Sequence, residues 1–219
     1  MKLRETLLDL FFPPRCAWCG RVGVKGACPA CEKALPRHAH PMHKGAGYGR
    51  CAAPFLYRDL ARDGILRFKF RGAQLSSGVF GEELARCAKT WYDGEFDLVT
   101  WVPVSEKRRR ERGFDQSELL ARAMTRCWDS EPVQLLRKTQ NNPAQSRLGA
   151  ADERRANVLG VYEAVDARRI RGRRILLVDD ILTTGATMGE CARVLREAGA
   201  AEVMCVALAS REFGKEDDR

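Results

Sequence analysis

Nearly unbroken apolar residues run through 175–178 and again through 203–208, and between them Met188, Cys191, Ala192 and Leu195 recur at the spacing of one helix face. Strand, loop, helix, strand is the order of a βαβ unit. Strands that stay apolar at successive positions, rather than alternating, predict a parallel sheet covered on both sides. Gly199 stands where a helix ends on a left-handed glycine. Residues 96–104 form another strand-like run and residues 53–57 a shorter one. Helical patterns cover 60–70, 81–91 and about 116–127, the last carrying Leu119, Leu120, Ala123 and Met124. The chain is predicted as an α/β fold, a parallel sheet flanked by helices.

Outside these elements the pattern weakens. Residues 1–12 predict a short amphipathic helix stopped by Pro13-Pro14, because Arg4, Glu5 and Asp9 interrupt the apolar core that a signal peptide would keep. Residues 36–50, with Gly45, Gly47, Gly49 and three histidines, show no period and read as a linker. The expected organisation is an amino-terminal helix, cysteine knuckle and linker over 1–50, a larger domain over 51–213 and a disordered tail over 214–219. No apolar stretch approaches the roughly 20 residues that a bilayer requires. The expectation is a cytoplasmic protein without membrane insertion.

With 45% hydrophobic and 31% charged residues in a chain of 219, a core can be buried, which excludes wholly disordered and collagen-like classes. The 38 Lys and Arg against 29 Asp and Glu leave a net charge of +9. Such an excess favours phosphates or nucleic acid as partners, although a basic surface also serves solubility alone.

Four of the nine cysteines form one pattern, Cys16-x-x-Cys19 and Cys28-x-x-Cys31. Two such turns aim four soft sulfur ligands at one point, the set that suits a closed, structural Zn²⁺. Disulfides in a secreted chain are the competing reading, and they fit poorly with an odd cysteine count and no signal peptide. Cys51, Cys87, Cys127, Cys191 and Cys205 fall singly in helix-like or strand-like segments and read as small core residues. His38, His40 and His43 cluster ahead of Cys51, which leaves two readings open, a second metal site or a solvated loop.

The stretch with most chemistry is Asp179-Asp180-Ile181-Leu182-Thr183-Thr184-Gly185-Ala186-Thr187, read as a loop between a strand and a helix. In open α/β sheets ligands bind outside the carboxyl ends of the strands. Hydroxyls and backbone N–H groups at a helix start receive a phosphate monoester. Two carboxylates beside that seat would repel an anion unless they address something else, and ribose hydroxyls, which donate, are the natural partner. Helix capping alone would explain one acid and one threonine, not the whole string. Neither G-x-x-x-x-G-K-[ST] nor a helix-opening G-x-G-x-x-G is present.

Residues 175–187 resemble the phosphoribosyl pyrophosphate (PRPP) motif of the type I phosphoribosyltransferases, and the chain as a whole resembles the ComF branch of that group. The likeness includes the CxxC pairs, Arg67-Phe68-Lys69-Phe70-Arg71-Gly72, Val102-Pro103-Val104 with Arg112-Gly113-Phe114-Asp115-Gln116-Ser117, and Gln145 followed by Arg154 and Asn157. It implies a type I phosphoribosyltransferase fold with a small amino-terminal zinc knuckle, and transfer of a phosphoribosyl group from PRPP to an unknown acceptor with release of pyrophosphate. Asp179 and Asp180 would hold the ribose 2′ and 3′ hydroxyls, and Thr183, Thr184, Gly185, Ala186 and Thr187 would wrap the 5-phosphate. Lys69 or Arg71, with the turn Val104-Ser105-Glu106-Lys107, would face pyrophosphate and its Mg²⁺; Asp179, Asp180, Lys69 and Lys107 would be catalytic. Arg112, Gln145, Arg147, Arg154 and Asn157 would belong to the loop and hood that close over the site. Two departures stand out: the further CxxC pair that many relatives carry is missing, and Asp115 replaces an asparagine.

An alternative reading is a single-stranded DNA-binding accessory of competence and DNA uptake, with a competence helicase as a further partner. The basic run from Lys107 to Arg112 would meet the backbone, and Phe68, Phe70 and Trp101 would stack on bases unless they are core residues. In a third reading the knuckle docks a partner protein or a second copy of the chain, giving a homodimer.

Overall fold

The computed structural model describes residues 13–45, 47–70, 74–140 and 158–212. The helix expected over 1–12 and the tail expected over 214–219 lie outside the described residues. In chain order the elements begin with α1 (Pro29–Ala34), β1 (Met42–Gly45), β2 (Gly49–Ala52), β3 (Phe55–Leu56), α2 (Asp59–Phe70) and α3 (Ser77–Tyr92). Next come β4 (Leu98–Trp101), α4 (Glu106–Arg112), α5 (Gln116–Arg126), β5 (Leu136–Lys138) and β6 (Tyr162–Ala164). The last are α6 (Ala167–Ile170), β7 (Arg174–Leu182), α7 (Ala186–Glu197) and β8 (Glu202–Ser210). Among the described residues no helix is long and apolar enough to cross a membrane.

The main sheet has the order β1-β2-β8-β7-β4, and β3 pairs with the end of β8. Its centre is parallel, with β2, β3 and β7 on β8 and β4 on β7. The apolar runs earn this position because successive residues feed opposite faces. Leu176, Val178, Met204, Val206 and Leu208 enter a core with α2, α3, α5 and the cysteine knuckle. Ile175, Leu177, Val203, Cys205 and Ala207 enter a second core with α6, α7, β5 and β6. The helix face foreseen at Met188, Cys191, Ala192 and Leu195 is buried in that second core, and Gly199, at φ +100°, follows α7.

Several expectations need correction. The stretch taken as a linker carries the antiparallel β1–β2 hairpin, with His43 opposite Cys51, and β2 extends the sheet through β8. Asp179 and Asp180 belong to β7, which runs on to Leu182, so only residues 183–185 separate strand from helix. Phe68 and Trp101 are core residues and cannot stack on bases, whereas Phe70 is exposed. Cys127, expected inside, is exposed.

Helices α3 and α5 approach closely at Gly81, where a methyl group would lie 2.5 Å from Ala123 Cβ and 2.6 Å from its carbonyl carbon. Gly81→Ala gains helix propensity of about 1 kcal/mol, yet it forces backbone against backbone. We expect a net loss of about 1–2 kcal/mol, read as a lower urea midpoint with unchanged slope.

Candidate functional site

The knuckle and the carboxyl edge of the sheet are the two chemical centres. Cys16 and Cys19 flank a tight turn closed by Gly20 N–H on Cys16 O, and Cys28 and Cys31 sit at the start of α1. Ligand atoms of all four lie within 4.8 Å of one another, and Cys19 Sγ and Cys28 Sγ are 3.8 Å apart. That spacing is a tetrahedral edge, since four Zn–S bonds of about 2.3 Å put the sulfurs about 3.8 Å apart; a disulfide would bring them to roughly 2 Å. All four are free thiols. Burial alone would raise the Cys16 thiol, but backbone hydrogen bonds from Cys19, Cys28 and Trp18 together bring it down to about 6. Burial and its crowded sulfur neighbours push Cys31 up. Four sulfurs converging at this spacing form the ligand set of a closed, structural dication.

The second metal reading is not supported by the geometry. Among the described residues only the four knuckle cysteines gather as metal ligands. Cys51 is fully buried in β2, while His38 Nε2 and His43 Nε2 lie 2.7 and 3.0 Å from the Ser210 hydroxyl.

At the carboxyl edge, Asp180 is buried and its Oδ2 lies 2.8 Å from Lys69 Nζ on α2. Asp179 Oδ1 accepts from the Ser117 hydroxyl at 2.9 Å and from the Asp180 N–H at 2.8 Å. Among the described residues these bonds leave one oxygen of each carboxylate for a ligand. Burial first, then the neighbouring Asp180 charge, push the Asp179 carboxyl up to about 7. Beyond the strand, Thr183 and Thr184 lead to Gly185 in the left-handed region at φ +72°, and α7 starts at Ala186, whose N–H meets Thr184 Oγ1 at 3.4 Å.

Opposite this edge, Ser105 caps α4, and Val104 N–H donates to Asp115 Oδ2 at 2.9 Å. The other oxygen of Asp115 accepts from Ser117 and Glu118 N–H, capping α5. One carboxylate therefore ties the turn at 104 to the helix that carries Ser117. An asparagine could cap α5 but would present its NH₂ to the Val104 N–H. Burial raises the Asp115 carboxyl to about 6. Arg112 lies over the Phe70 ring at 4.8 Å, and Lys107, Arg109 and Arg110 are exposed on α4. Arg71, Gln145, Arg147, Arg154 and Asn157 lie outside the described residues.

Two residues at this edge were not foreseen. The Tyr48 ring packs on Gly185 so tightly that a Cβ there would overlap it, and Gly47 lies against Gly189 of α7, with Arg196 donating to Gly47 O at 2.8 Å. The turn of the β1–β2 hairpin thus braces the threonine loop. Tyr57, after β3, is half-buried and feels the charges of Lys69 and Asp180. The Gly47-Tyr48-Gly49 run was the available signal for the first; nothing local marks the second. A cleft of about 300 Å³ lined by Lys89, Phe96, Asp97 and Trp128 lies elsewhere, by the amino end of β4, and contains none of these groups.

A family model described as phosphoribosyl transferase domain matches residues 112–219, and one described as double zinc ribbon domain matches residues 7–63. The chain is 30% identical over 188 residues to competence protein ComFC of Bacillus subtilis, covering 85% of this chain and 73% of that protein. It belongs to the ComF family. Competence protein F of Haemophilus influenzae, a second ComF relative, is 25% identical over 91% of this chain and 98% of its own. DNA utilization protein YhgH of Escherichia coli is 36% identical over 49% of this chain and 46% of its own. Among solved structures, glutamine PRPP amidotransferase from B. subtilis aligns at a TM-score of 0.42 and 24% identity, over 69% of this chain and 28% of that one. For this ComF member the zinc ribbon match coincides with a single four-cysteine cluster among the described residues.

Proposed function

We propose that this ComF protein binds PRPP at the carboxyl end of β7 and transfers its phosphoribosyl group to an acceptor. The observation that carries the reading is the Asp179–Asp180 pair, each with an oxygen unclaimed among the described residues, ahead of a threonine and glycine turn that opens α7. The carboxylates accept from the ribose hydroxyls, and the turn receives the 5-phosphate. The acceptor's lone pair forms the new bond at the anomeric carbon while the bond to pyrophosphate breaks, its electron pair leaving with pyrophosphate. Lys69 and the turn at Val104, Ser105 and Lys107 supply positive charge and N–H groups on the leaving-group side. No cluster of three carboxylates gathers among the described residues, which suits Mg²⁺, a cation that binds through phosphate oxygens and water with one or two carboxylates. When bound, it would neutralise charge building on pyrophosphate.

The test is thermal unfolding with and without PRPP and Mg²⁺. At ~100 times its Kd a ligand of the native state adds about 2.7 kcal/mol. We expect a rise in Tm for the natural sequence and none for Asp179→Asn combined with Asp180→Asn. No rise in either sinks the reading.

A second reading, single-stranded DNA binding in DNA uptake, is favoured by Lys107, Arg109 and Arg110 exposed on one short helix and by the names of the relatives. Each phosphate contact on a single strand contributes about 0.7 to the slope of log K against log salt. Replacing all three by alanine is expected to flatten that slope by about 2; an unchanged slope removes α4 from any DNA interface.

A further inference from the structure

We propose that the guanidinium of Arg67 is the counter-charge of the metal-loaded knuckle, and that α2 thereby ties metal occupancy to the position of Lys69 at Asp180. Arg67 Nε and Nη2 are buried and have no hydrogen-bond partner among the described residues. The Arg67 stem lies on the knuckle: its Cδ and Nε would both stand 3.7 Å from a Cβ placed on Gly20, the residue after Cys19. The Arg67 side chain is partly buried, and charged N–H donors buried without a partner carry a cost unless an anion faces them. Four thiolates around Zn²⁺ leave two negative charges uncompensated, and groups outside the ligand shell that meet such charge tune the metal's affinity.

The same helix face is closed against the knuckle one turn earlier. A methyl on Gly64 would lie 2.8 Å from Trp18 Cε3 and 3.4 Å from Ala17 O. Two residues beyond Arg67, Lys69 Nζ reaches Asp180 at 2.8 Å. Helix α2 is thus held at the cysteines by Gly64 and Arg67 and delivers its lysine to the carboxyl edge. Arg67 is a positioning residue, and this second half of the proposal rests on the phosphoribosyl reading of the edge.

The sign of a stability change tests the first half. Removing unpartnered buried N–H donors by Arg67→Met is a relief, whereas a cation that neutralises the zinc thiolates is missed. For the full chain we expect Arg67→Met to lower Tm in the zinc-loaded protein and to leave it equal or higher in the reduced, chelator-treated protein. The same upward shift in both forms, or none in either, overturns the counter-charge. Zinc affinity by chelator competition gives a reading that does not depend on the apo form: about 10-fold or more weaker for Arg67→Met, near natural for Arg67→Lys and for the exposed control Arg21→Met. Equal affinity in Arg67→Met overturns it. In the zinc-loaded proteins, PRPP with Mg²⁺ should bind several-fold more weakly to Arg67→Met than to Arg67→Lys, and equal binding overturns the tie through α2. If the natural sequence fails to bind PRPP, the phosphoribosyl reading falls together with that tie, while the counter-charge is decided by zinc alone.

Discussion

Cys31→Ser is expected to destabilise the zinc-loaded chain by about 4–6 kcal/mol, and chelation under reducing conditions to do the same to the natural sequence. In a small ribbon, metal-binding free energy is folding free energy, and here the ribbon is not an isolated ornament. Trp18, fully buried inside the first CxxC turn, has its ring 4.9 Å from Phe55 and 4.6 Å from Phe80. Cys16, Cys28 and Cys31 belong to the same core. Returning an indole of roughly 200 Å² to water costs about 5 kcal/mol. Equilibrium unfolding in urea, followed by tryptophan fluorescence with metal content measured in parallel, reads the loss. Unchanged zinc and stability in Cys31→Ser would remove the four-cysteine assignment, and the variant should show no further loss on chelation.

Lys69→Met is expected to cost about 3–5 kcal/mol at pH 8, the range for removing one partner of a buried ion pair. Lys69 and Asp180 are both largely buried, and the Lys69 charge also lowers the neighbouring Asp179 carboxyl. Asp179 still sits at about 7, well above the roughly 3.9 of an unfolded chain. Between those limits the native state holds the extra proton. The stability linked to it is full below about pH 4 and is lost as pH rises through about 7. Asp115, raised to about 6, adds to the same slope. Without Lys69 the pair of aspartates keeps its proton to higher pH, so the deficit of the variant should shrink from pH 8 to pH 5. Denaturant midpoints across that range measure it, and a deficit independent of pH would mean that Lys69 acts through packing alone.

What was legible in the sequence follows from how local each signal is. Strands β7 and β8 bury both faces, so their composition alone announces them, and α7 carries its helical period openly. The cysteine cluster is equally local, two CxxC turns twelve residues apart from first to third ligand. Edge elements were harder. Strands β1 and β2 are only four residues each, Met-His-Lys-Gly and Gly-Arg-Cys-Ala, with burial that does not alternate regularly, so they leave no period to read. Helix α4 has no buried residue, so its arginines looked like a run of charge rather than a capped turn of helix. The aspartates were found by type and order, but their partners Lys69 and Ser117 come from other helices, and Tyr48 reaches Gly185 across 137 positions of chain. Arg67 looked like one more basic residue of a motif; its place beside Gly20 and its two unpartnered buried nitrogens among the described residues separate it from the paired Lys69.

The wedge of Trp18 between Phe55 and Phe80 also bears on how this architecture can be rearranged. A sheet domain excised at residue 51 would keep both phenylalanines and lose the indole that separates them, leaving an aromatic wound on the face that α2 must cover. Grafting the ribbon onto another protein would meet the reverse difficulty, since its tryptophan needs that same pair of rings. Ribbon and core should therefore travel together through recombination, inherited as one cassette.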